Sequence, residues 1–286
     1  MTQTPGVTPH VLISGLAFGE GPRWHDGRLW LSDMHRHVVL ALDLDGTTEE
    51  ICHVPNWPSG LGWLPDGRLL VVSMTDRRVL RLDDGELTLH ADLGAIASWH
   101  CNDMVVDVDG RAYVGNFGFD LLAEPLDPKP ADLAVIEPDG TAAVGATGLG
   151  FPNGSVITPD GATLIVAESF GGRLTAFTRH ADGTLHDQRV WADLDGGVPD
   201  GICLDAEGAV WYADPRADEA VRVAEGGEVL DRVTADRGCY ACMLGGPDRT
   251  TLFMLTAGTS HPEEAARILS GQVVSVPVDV AGVGWP

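Results

Sequence analysis

Short apolar runs, each interrupted by a polar turn, recur along the whole chain. Six of them follow one another as WHDGRLWLSD, LPDGRLLVVS, DVDGRAYVGN, TPDGATLIVA, DAEGAVWYAD and GPDRTTLFML. An Asp-Gly pair between two apolar runs is a strong hairpin signal, because we expect both turn residues to adopt a positive φ, which Gly and Asp tolerate. Each run therefore predicts a β-hairpin.

The six predicted hairpins are evenly spaced. Their turns are marked by Gly27, Gly67, Gly110, Gly161, Gly208 and Arg249, at intervals of 40, 43, 51, 47 and 41 residues. This is the period of a four-stranded propeller blade, and a further apolar run with its own turn follows each hairpin. The pattern predicts an all-β fold: a six-bladed β-propeller of four-stranded antiparallel blades around a central channel, forming a single domain over residues 1–286.

Two departures from the regular repeat predict special features. Residues 11–18, VLISGLAF, precede the first unit, and we expect them to add an edge strand to the last blade and close the ring. The third unit is longer than the others because of residues 118–132, which join its predicted second and third strands. Topology puts this insertion over the channel mouth, where it is a candidate lid, with an ordinary proline-rich surface loop as the alternative.

Composition narrows the class of protein. The chain has 18 basic and 42 acidic residues, a net charge of −24, which would repel nucleic-acid phosphates and anionic lipids. We therefore expect neither nucleic acid nor a membrane as a partner. No apolar run is long enough to span a bilayer, and the first residues, MTQTPGVTPH, lack the pattern of a secretory signal. These features favour a cytoplasmic protein.

The cysteines agree with a reducing compartment. Their number, five, is odd, and they are scattered along the chain rather than arranged as a disulfide framework. Cys239 and Cys242 form a CxxC motif, but no second CxxC or nearby histidine pair completes a zinc site. We expect both to pack in the core.

Polar residues recur where the first strand of each unit begins. Counting back seven or eight positions from the turn glycines gives Glu20, Asn102, Asn153 and Asp200. Any one of them alone could be a turn residue. The first strand of a propeller blade lines the channel, however, so the shared register predicts that the four side chains meet at its mouth. Grouped carboxylates and amides would repel one another and be poorly solvated unless a cation held them.

The donor types indicate which cation to expect. Two carboxylates with one or two amides form a hard oxygen site without imidazole or thiolate, for which Ca²⁺ fits best, while Mg²⁺, Mn²⁺, Fe²⁺ and Zn²⁺ remain possible. Such a ligand set leaves coordination positions open to water. An open site is typical of catalysis or substrate binding rather than of a sealed structural metal.

Several motifs resemble one known family. GEGPRWHDGRLWLSD, HCNDMVVDVDGRAYVGN, FPNGSVITPDGATLIVAES and PDGICLDAEGAVWYAD are similar to segments of the SMP-30/gluconolactonase/LRE family, also called the regucalcin family. The resemblance runs from about residue 15 to about residue 276. It implies a six-bladed propeller with one divalent metal in the channel, held by Glu20, Asn153 and Asp200. It also implies hydrolysis of sugar lactones and other small lactones.

The resemblance also implies substrate contacts. Asn102 matches a channel asparagine of the family, and an acidic substrate contact falls near Asp120. His100 stands where members that act on sugar lactones often carry an arginine, which suggests a less polar or differently shaped substrate. Independently of the resemblance, Trp57 and Trp99 precede channel positions, and they either wall the substrate pocket or pack in the core.

These observations predict a metal-dependent hydrolase that opens a small lactone by attack of water. Asp200 is the candidate general base, with Asp103 or His100 as substitutes. Two alternatives stay open: a metal-dependent esterase or phosphotriesterase with the same cradle, and a non-enzymatic calcium-binding propeller. His35 and His37, on a predicted loop, are interpreted as incidental surface residues.

Overall fold

Within residues 9–284, the part of the chain that the computed structural model describes, 24 strands form six antiparallel sheets of four strands each. The innermost strands of consecutive sheets contact one another in order, and the innermost strand of the last sheet contacts that of the first. The sheets therefore form a ring, and the predicted six-bladed β-propeller is confirmed. Residues 1–8, which carry most of the segment compared with a secretory signal, and residues 285–286 lie outside the described residues.

The strands are numbered in chain order. The first, β1, spans His10–Leu16 and belongs to the last blade. Blade 1 consists of β2 (Gly19–His25), β3 (Arg28–Asp33), β4 (Val38–Leu42) and β5 (Thr48–His53). Blade 2 consists of β6 (Pro58–Trp63), β7 (Leu69–Ser73), β8 (Arg78–Asp83) and β9 (Glu86–Asp92). Blade 3 consists of β10 (Cys101–Val106), β11 (Ala112–Asn116), β12 (Ala131–Ile136) and β13 (Ala142–Leu149).

The remaining blades follow the same order. Blade 4 consists of β14 (Pro152–Ile157), β15 (Thr163–Glu168), β16 (Arg173–Arg179) and β17 (Leu185–Asp193). Blade 5 consists of β18 (Ile202–Leu204), β19 (Val210–Asp214), β20 (Glu219–Val223) and β21 (Val229–Thr234). Blade 6 consists of β22 (Gly238–Gly245), β23 (Thr251–Ala257), β24 (Gly271–Pro277) and the outer strand β1.

The ring is closed by the start of the chain. Strand β1 pairs antiparallel with β24, with Val11 opposite Val274 and Leu16 opposite Gly271. The last blade is thus completed by residues from the opposite end of the described chain, which confirms the predicted edge strand. This pairing ties blade 6 to blade 1 through the backbone.

The hairpin turns differ from expectation in one respect. Among the six hairpins predicted above, all within the described residues, only the first has two consecutive turn residues at positive φ, Asp26 at 48° and Gly27 at 77°. The second hairpin has a positive φ at Gly67 but not at the preceding aspartate. There the Gly67 N–H donates to the Leu64 carbonyl and the Leu64 N–H donates to the Arg68 carbonyl, both at 2.9 Å. This longer turn needs one left-handed residue rather than two.

Each sheet buries both of its faces. In β7, Leu70 and Val72 belong to the core shared with blade 3, which includes Met104, while Val71 belongs to the core shared with blade 1, which includes Val39. This division follows from the two-residue period of a strand. Burial of one such side chain contributes roughly 1.5–3 kcal/mol, so the packing of blade against blade stabilises the ring.

Glycines bring neighbouring inner strands close together. A glycine lies at or near the start of the inner strand in four blades, at Gly21, Gly60, Gly154 and Gly201. A Cβ atom at Gly154 would lie 2.5 Å from the backbone nitrogen of Ile202 and 2.8 Å from the carbonyl oxygen of Asp200. The Gly154 N–H donates to that carbonyl at 3.2 Å, and the Gly201 N–H donates to the Tyr240 carbonyl at 2.9 Å. Only glycine permits this approach of backbone to backbone.

Two long connections join second to third strands at the same end of the ring. Residues 117–130 connect β11 to β12; they bury Phe119 and expose Leu122. The connection from β23 to β24 contains the helix α1 (Pro262–Ile268), which the sequence analysis did not predict. Its signals are Pro262 at the first helical position and two glutamates in the first turn.

The cysteines pack as predicted. All five are free, and Cys239 and Cys242 are buried. The Cys242 thiol lies 3.5 Å from the carbonyl oxygens of Gly201 and Trp211, so it serves as a small core side chain with a weak hydrogen bond. In residues 9–284, no helix combines the length and the apolar character that crossing a membrane requires.

Candidate functional site

A cavity of about 550 Å³ opens at the end of the channel where the inner strands begin, and all six blades contribute to its wall. The four predicted channel residues, Glu20, Asn102, Asn153 and Asp200, all line it. Glu20, Asn102 and Asn153 are only 5–6% exposed, so they form a buried part of the wall. The shared register therefore brings these side chains together, and the volume suits a small-molecule ligand.

Glu20 and Asp200 are two acidic residues whose carboxyl groups face the same cavity. Burial raises the pKa of the Glu20 carboxyl well above its usual value, and the charges of Asp200 and Asp103 raise it further. Burial likewise raises the pKa of Asp200, against a hydrogen bond from Asn153 that lowers it. Two buried carboxylates that face one cavity resist ionising together. A bound cation would remove that conflict.

The two asparagines present amides to the same cavity. The Asn153 Nδ2 donates to Ser169 Oγ at 3.1 Å, and Ser169 Oγ donates to the Pro199 carbonyl at 2.7 Å, so this side chain is fixed by a neighbour in the cavity wall. The Asn102 Nδ2 is buried and has no hydrogen-bond partner in the described part of the chain. A buried donor without a partner costs free energy, which indicates a contact with a ligand or substrate.

Asp103 does not share the environment of Asn102. Its carboxylate accepts a hydrogen bond from Arg23 Nη2 at 2.7 Å and from the Met104 N–H at 2.8 Å. Arg23 also donates from Nε to the Leu61 carbonyl at 3.1 Å, so it links blades 1, 2 and 3. Burial raises the pKa of Asp103, and Arg23 opposes that rise. Of the three candidate bases, Asp200 and His100 line the cavity, whereas Asp103 is held by Arg23.

The residues predicted to contact substrate also line the cavity. Trp99, His100, Asp120 and Trp57 all contribute to its wall. His100 stacks on Trp99 with ring centroids 5.2 Å apart. Burial lowers the pKa of His100, opposed by the charge of Asp120, so the imidazole is neutral at pH 7. Asp120 lies in the 117–130 connection, which thus contributes directly to the cavity.

The place of His35 in the cavity wall was not predicted from the sequence. This residue was interpreted as incidental, but it lines the cavity and is 8% exposed. Its Nε2 lies 3.2 Å from the Ser260 carbonyl, and its ring stacks on Phe18 and meets the edge of Trp57. Burial lowers the pKa of His35 to about 4. Its Nδ1 is buried without a hydrogen-bond partner in residues 9–284.

Blade 6 also contributes cavity residues that were not predicted. Tyr240, Ser260 and His261 line the cavity. Tyr240 occupies the place in the last repeat that the channel residues occupy in the others, so the repeat register was a signal for it. Ser260 and His261 precede α1, and no local sequence pattern placed them at the site.

The donor set fits a hard divalent cation. Residues 9–284 contain no cluster of three or more His, Cys, Asp or Glu side chains suited to a metal. The predicted site differs from such clusters because it combines the carboxylates of Glu20 and Asp200 with the amides of Asn102 and Asn153. Oxygen donors of this kind suit Ca²⁺ and similar ions better than ions that prefer thiolate. The repulsion between the carboxylates of Glu20 and Asp200 supplies the physical reason for a cation.

Comparison with known proteins gives a consistent result. Residues 18–258 match the profile of the SMP-30/Gluconolactonase/LRE-like region. A pentonolactonase from Haloferax volcanii is 26% identical over 288 residues, covering 96% of this chain and 95% of the relative.

Two solved structures share the fold. Regucalcin, a calcium-binding protein from Agrobacterium tumefaciens, superposes with a TM-score of 0.81 at 22% identity, over 98% of this chain and 96% of the other. A gluconolactonase from Xanthomonas campestris gives a TM-score of 0.76 at 24% identity, over 97% of each chain. At this identity the superpositions establish the architecture alone. The profile match, which covers most of the chain, shows that this protein belongs to the SMP-30/gluconolactonase/LRE-like family.

Proposed function

We propose that this protein is a metal-dependent hydrolase that opens a small lactone by attack of water. The observation that carries the proposal is the meeting of Glu20, Asn102, Asn153 and Asp200, from four different blades, in one buried cavity. The names of two relatives, a pentonolactonase and a gluconolactonase, support a lactone as the substrate class.

Glu20, Asn153 and Asp200 would hold the ion, and Ca²⁺ is the first candidate because of the oxygen donors and the calcium-binding relative. A divalent cation in this place supplies charge balance and polarises a carbonyl oxygen. The protein contributes the geometry. Asn153 is held by Ser169, and the backbone next to Asp200 is held against Gly154, so the donors are fixed before substrate binds.

Three residues have proposed roles in the reaction itself. Asp200 accepts the proton of the attacking water at a carboxylate oxygen, because it lines the cavity as one of the proposed ligands of the ion. His100 also lines the cavity but is not among those ligands. Asn102 donates its free Nδ2 hydrogens to an oxygen of the lactone. Asp103 acts as a positioning residue, because its carboxylate is engaged by Arg23 and by the Met104 backbone.

We also propose that the 117–130 connection covers the bound substrate. Asp120, Leu121 and Leu122 line the cavity, while Phe119 anchors the segment by its burial. A cover of this kind limits access of bulk water to the reacting ester. The same residues would present Asp120 to the outer part of the substrate.

The experiment is an assay of proton release with γ- and δ-lactones. Chelator-stripped protein is compared with protein to which Ca²⁺, Mg²⁺, Mn²⁺, Fe²⁺ or Zn²⁺ has been returned. We expect activity to disappear on stripping and to return with at least one ion, and Asp200→Asn to lose at least about a hundredfold in kcat. Asp195→Asn is the matched control, since Asp195 is exposed and asparagine tolerates its positive φ.

The same assay separates the alternatives. Full activity in the stripped protein or in Asp200→Asn would contradict the proposal. Hydrolysis of phosphotriesters without hydrolysis of any lactone would identify the related esterase function. Metal binding without turnover of any ester would identify a binding module.

A further inference from the structure

A continuous series of aromatic rings surrounds the cavity. On one side, Tyr240, Phe18, His35 and Trp57 contact one another in this order, with successive ring centroids 4.7, 5.4 and 5.0 Å apart. These residues come from blades 6, 1 and 2 and all line the cavity. They are the first half of what we call the aromatic collar.

The second half continues from Trp57 without a gap. The His100 ring lies 6.0 Å from Trp57 and 6.0 Å from Phe117, and Phe151 stacks on Phe117 at 4.4 Å. Phe170 ends the series, 5.4 Å from Phe151. All four of these residues also line the cavity, and they belong to blades 3 and 4. The collar thus consists of eight rings from five of the six blades.

The one sector without a ring belongs to blade 5. There the wall is formed by Val198, Pro215 and Arg216 together with Asp200. The proposed general base therefore lies in the gap of the collar, while the rings lie along the wall that the other five blades form. A substrate whose ester group reaches Asp200 places its other substituents against the rings.

The collar suits apolar substituents and not hydroxyl groups. Six of its eight rings are those of Phe, Trp and Tyr, whose faces offer an apolar surface. The described cavity wall contains one permanently cationic side chain, that of Arg216. A polyhydroxylated substituent would lose its water and find few partners on ring faces, which weakens binding. An alkyl or aryl substituent gains from the same surroundings.

We propose that the substrate is a lactone that carries an apolar alkyl or aryl substituent, and that the aromatic collar binds this substituent. This inference rests on the proposed function and specifies its substrate class. The reaction is ordinary ester hydrolysis: the water oxygen bonds to the carbonyl carbon and the bond from that carbon to the ring oxygen breaks. The ring oxygen leaves as a hydroxyl, and the product carboxylic acid releases one proton at neutral pH.

The test compares a homologous series. The metal-loaded protein is assayed with γ-butyrolactone, γ-hexanolactone, γ-octanolactone, γ-decanolactone and glucono-δ-lactone. We expect kcat/KM to rise by roughly fourfold for each added methylene until the collar is filled, since each buried methylene contributes that factor. The γ-decanolactone should exceed glucono-δ-lactone by at least about a hundredfold on the same basis.

A collar variant tests whether the rings cause the preference. Phe170 is 47% exposed, so Phe170→Ala should leave the fold intact. We expect this change to lower the ratio of kcat/KM for γ-decanolactone to that for γ-butyrolactone by about fivefold or more. Leu89→Ala is the matched control: Leu89 is 56% exposed in β9 of blade 2, away from the cavity wall, and the ratio should not change.

Failure of this inference is distinct from failure of the proposed function. If glucono-δ-lactone is the best substrate, or if Phe170→Ala leaves the ratio unchanged, the inference is overturned while lactone hydrolysis stands. If no lactone is hydrolysed, calorimetric titration measures the affinity of the protein for each of the same lactones and tests the collar as a binding site. Affinity that rises with chain length supports the collar as an apolar binding site, and equal affinity overturns it.

Discussion

The buried ion pair of Arg23 and Asp103 provides the sharpest prediction about how the site is supported. The two side chains are 4% and 5% exposed and meet at 2.7 Å. Arg23 also donates to the carbonyls of Pro22 and Leu61, at 2.8 and 3.1 Å. Replacing Arg23 by Met therefore leaves a buried carboxylate without a counter-charge and leaves these carbonyls without their donor.

The expected cost follows from this geometry. Breaking a buried pair from one side typically costs 3–5 kcal/mol, and we expect Arg23→Met to lie in this range and Asp103→Asn at about 2–3 kcal/mol. The double variant removes the stranded charge. Its cost should therefore fall short of the sum of the single costs by about 2 kcal/mol. Urea unfolding followed by tryptophan fluorescence, at one fixed Ca²⁺ concentration, measures all three free energies. If the cost of the double variant equals the sum of the two single costs to within about 0.5 kcal/mol, the reasoning is refuted.

The same variant separates a positioning role for Asp103 from a catalytic one. Folded Asp103→Asn should keep kcat within about tenfold of the original, with the pH dependence of kcat unchanged. Asp200→Asn, assayed beside it, should lose at least about a hundredfold, because a general base contributes a factor of that size. A loss in Asp103→Asn as large as that in Asp200→Asn, together with a shifted acid limb, would make Asp103 the base.

Three further predictions concern other parts of the site. Because the folded protein holds the pKa of His35 at about 4, against 6.5 in the unfolded chain, unfolded protein binds the proton first as the pH falls. Titration of His35 should thus lower the free energy of unfolding by about 3 kcal/mol as the pH falls from 6.5 to 4. Urea unfolding measures this as the difference in free energy of unfolding between the original protein and His35→Gln. A difference that does not vary with pH would contradict the prediction. Gly154→Ala should lower Tm and reduce kcat/KM at least about tenfold, because the new methyl group meets the backbone of Ile202. Gly94→Ala is the control and should do neither, because a methyl group there meets only side-chain atoms of Asp92 and Arg77. Replacing residues 121–128 by two glycines should raise KM while circular dichroism stays unchanged, and an unaltered KM would exclude a covering role.

Features with local causes were predictable from the sequence. A hairpin is specified by its own turn and by the alternation beside it, so six evenly spaced turns were enough for the propeller. The channel residues were predictable because the number of residues between the start of the first strand and the hairpin turn is nearly the same in each blade. The closing strand β1 followed from topology, since a ring needs its last blade completed.

Features that depend on distant contacts were not predictable. His35 reaches the cavity wall through a contact with the Ser260 carbonyl, 225 residues away in the chain. Asp103 is held by Arg23, 80 residues away, although it follows the cavity residue Asn102 directly. No local pattern contains such information. The turn geometry was also only partly predictable, because Asp-Gly occurs in a two-residue turn at Asp26 and in a longer turn at Gly67.

The backbone contacts at Gly21, Gly60, Gly154 and Gly201 have a consequence for the ion preference of the proposed metal site. At these four places the backbone of one inner strand meets that of the next, so the blades involved cannot move toward the axis or away from it without displacing their neighbours. The aperture is therefore set by the main chain. In the proposed ion site, selectivity among cations would then depend on the reach of the side chains themselves, and shortening Glu20 to aspartate is the first variant in which to look for an altered ion preference.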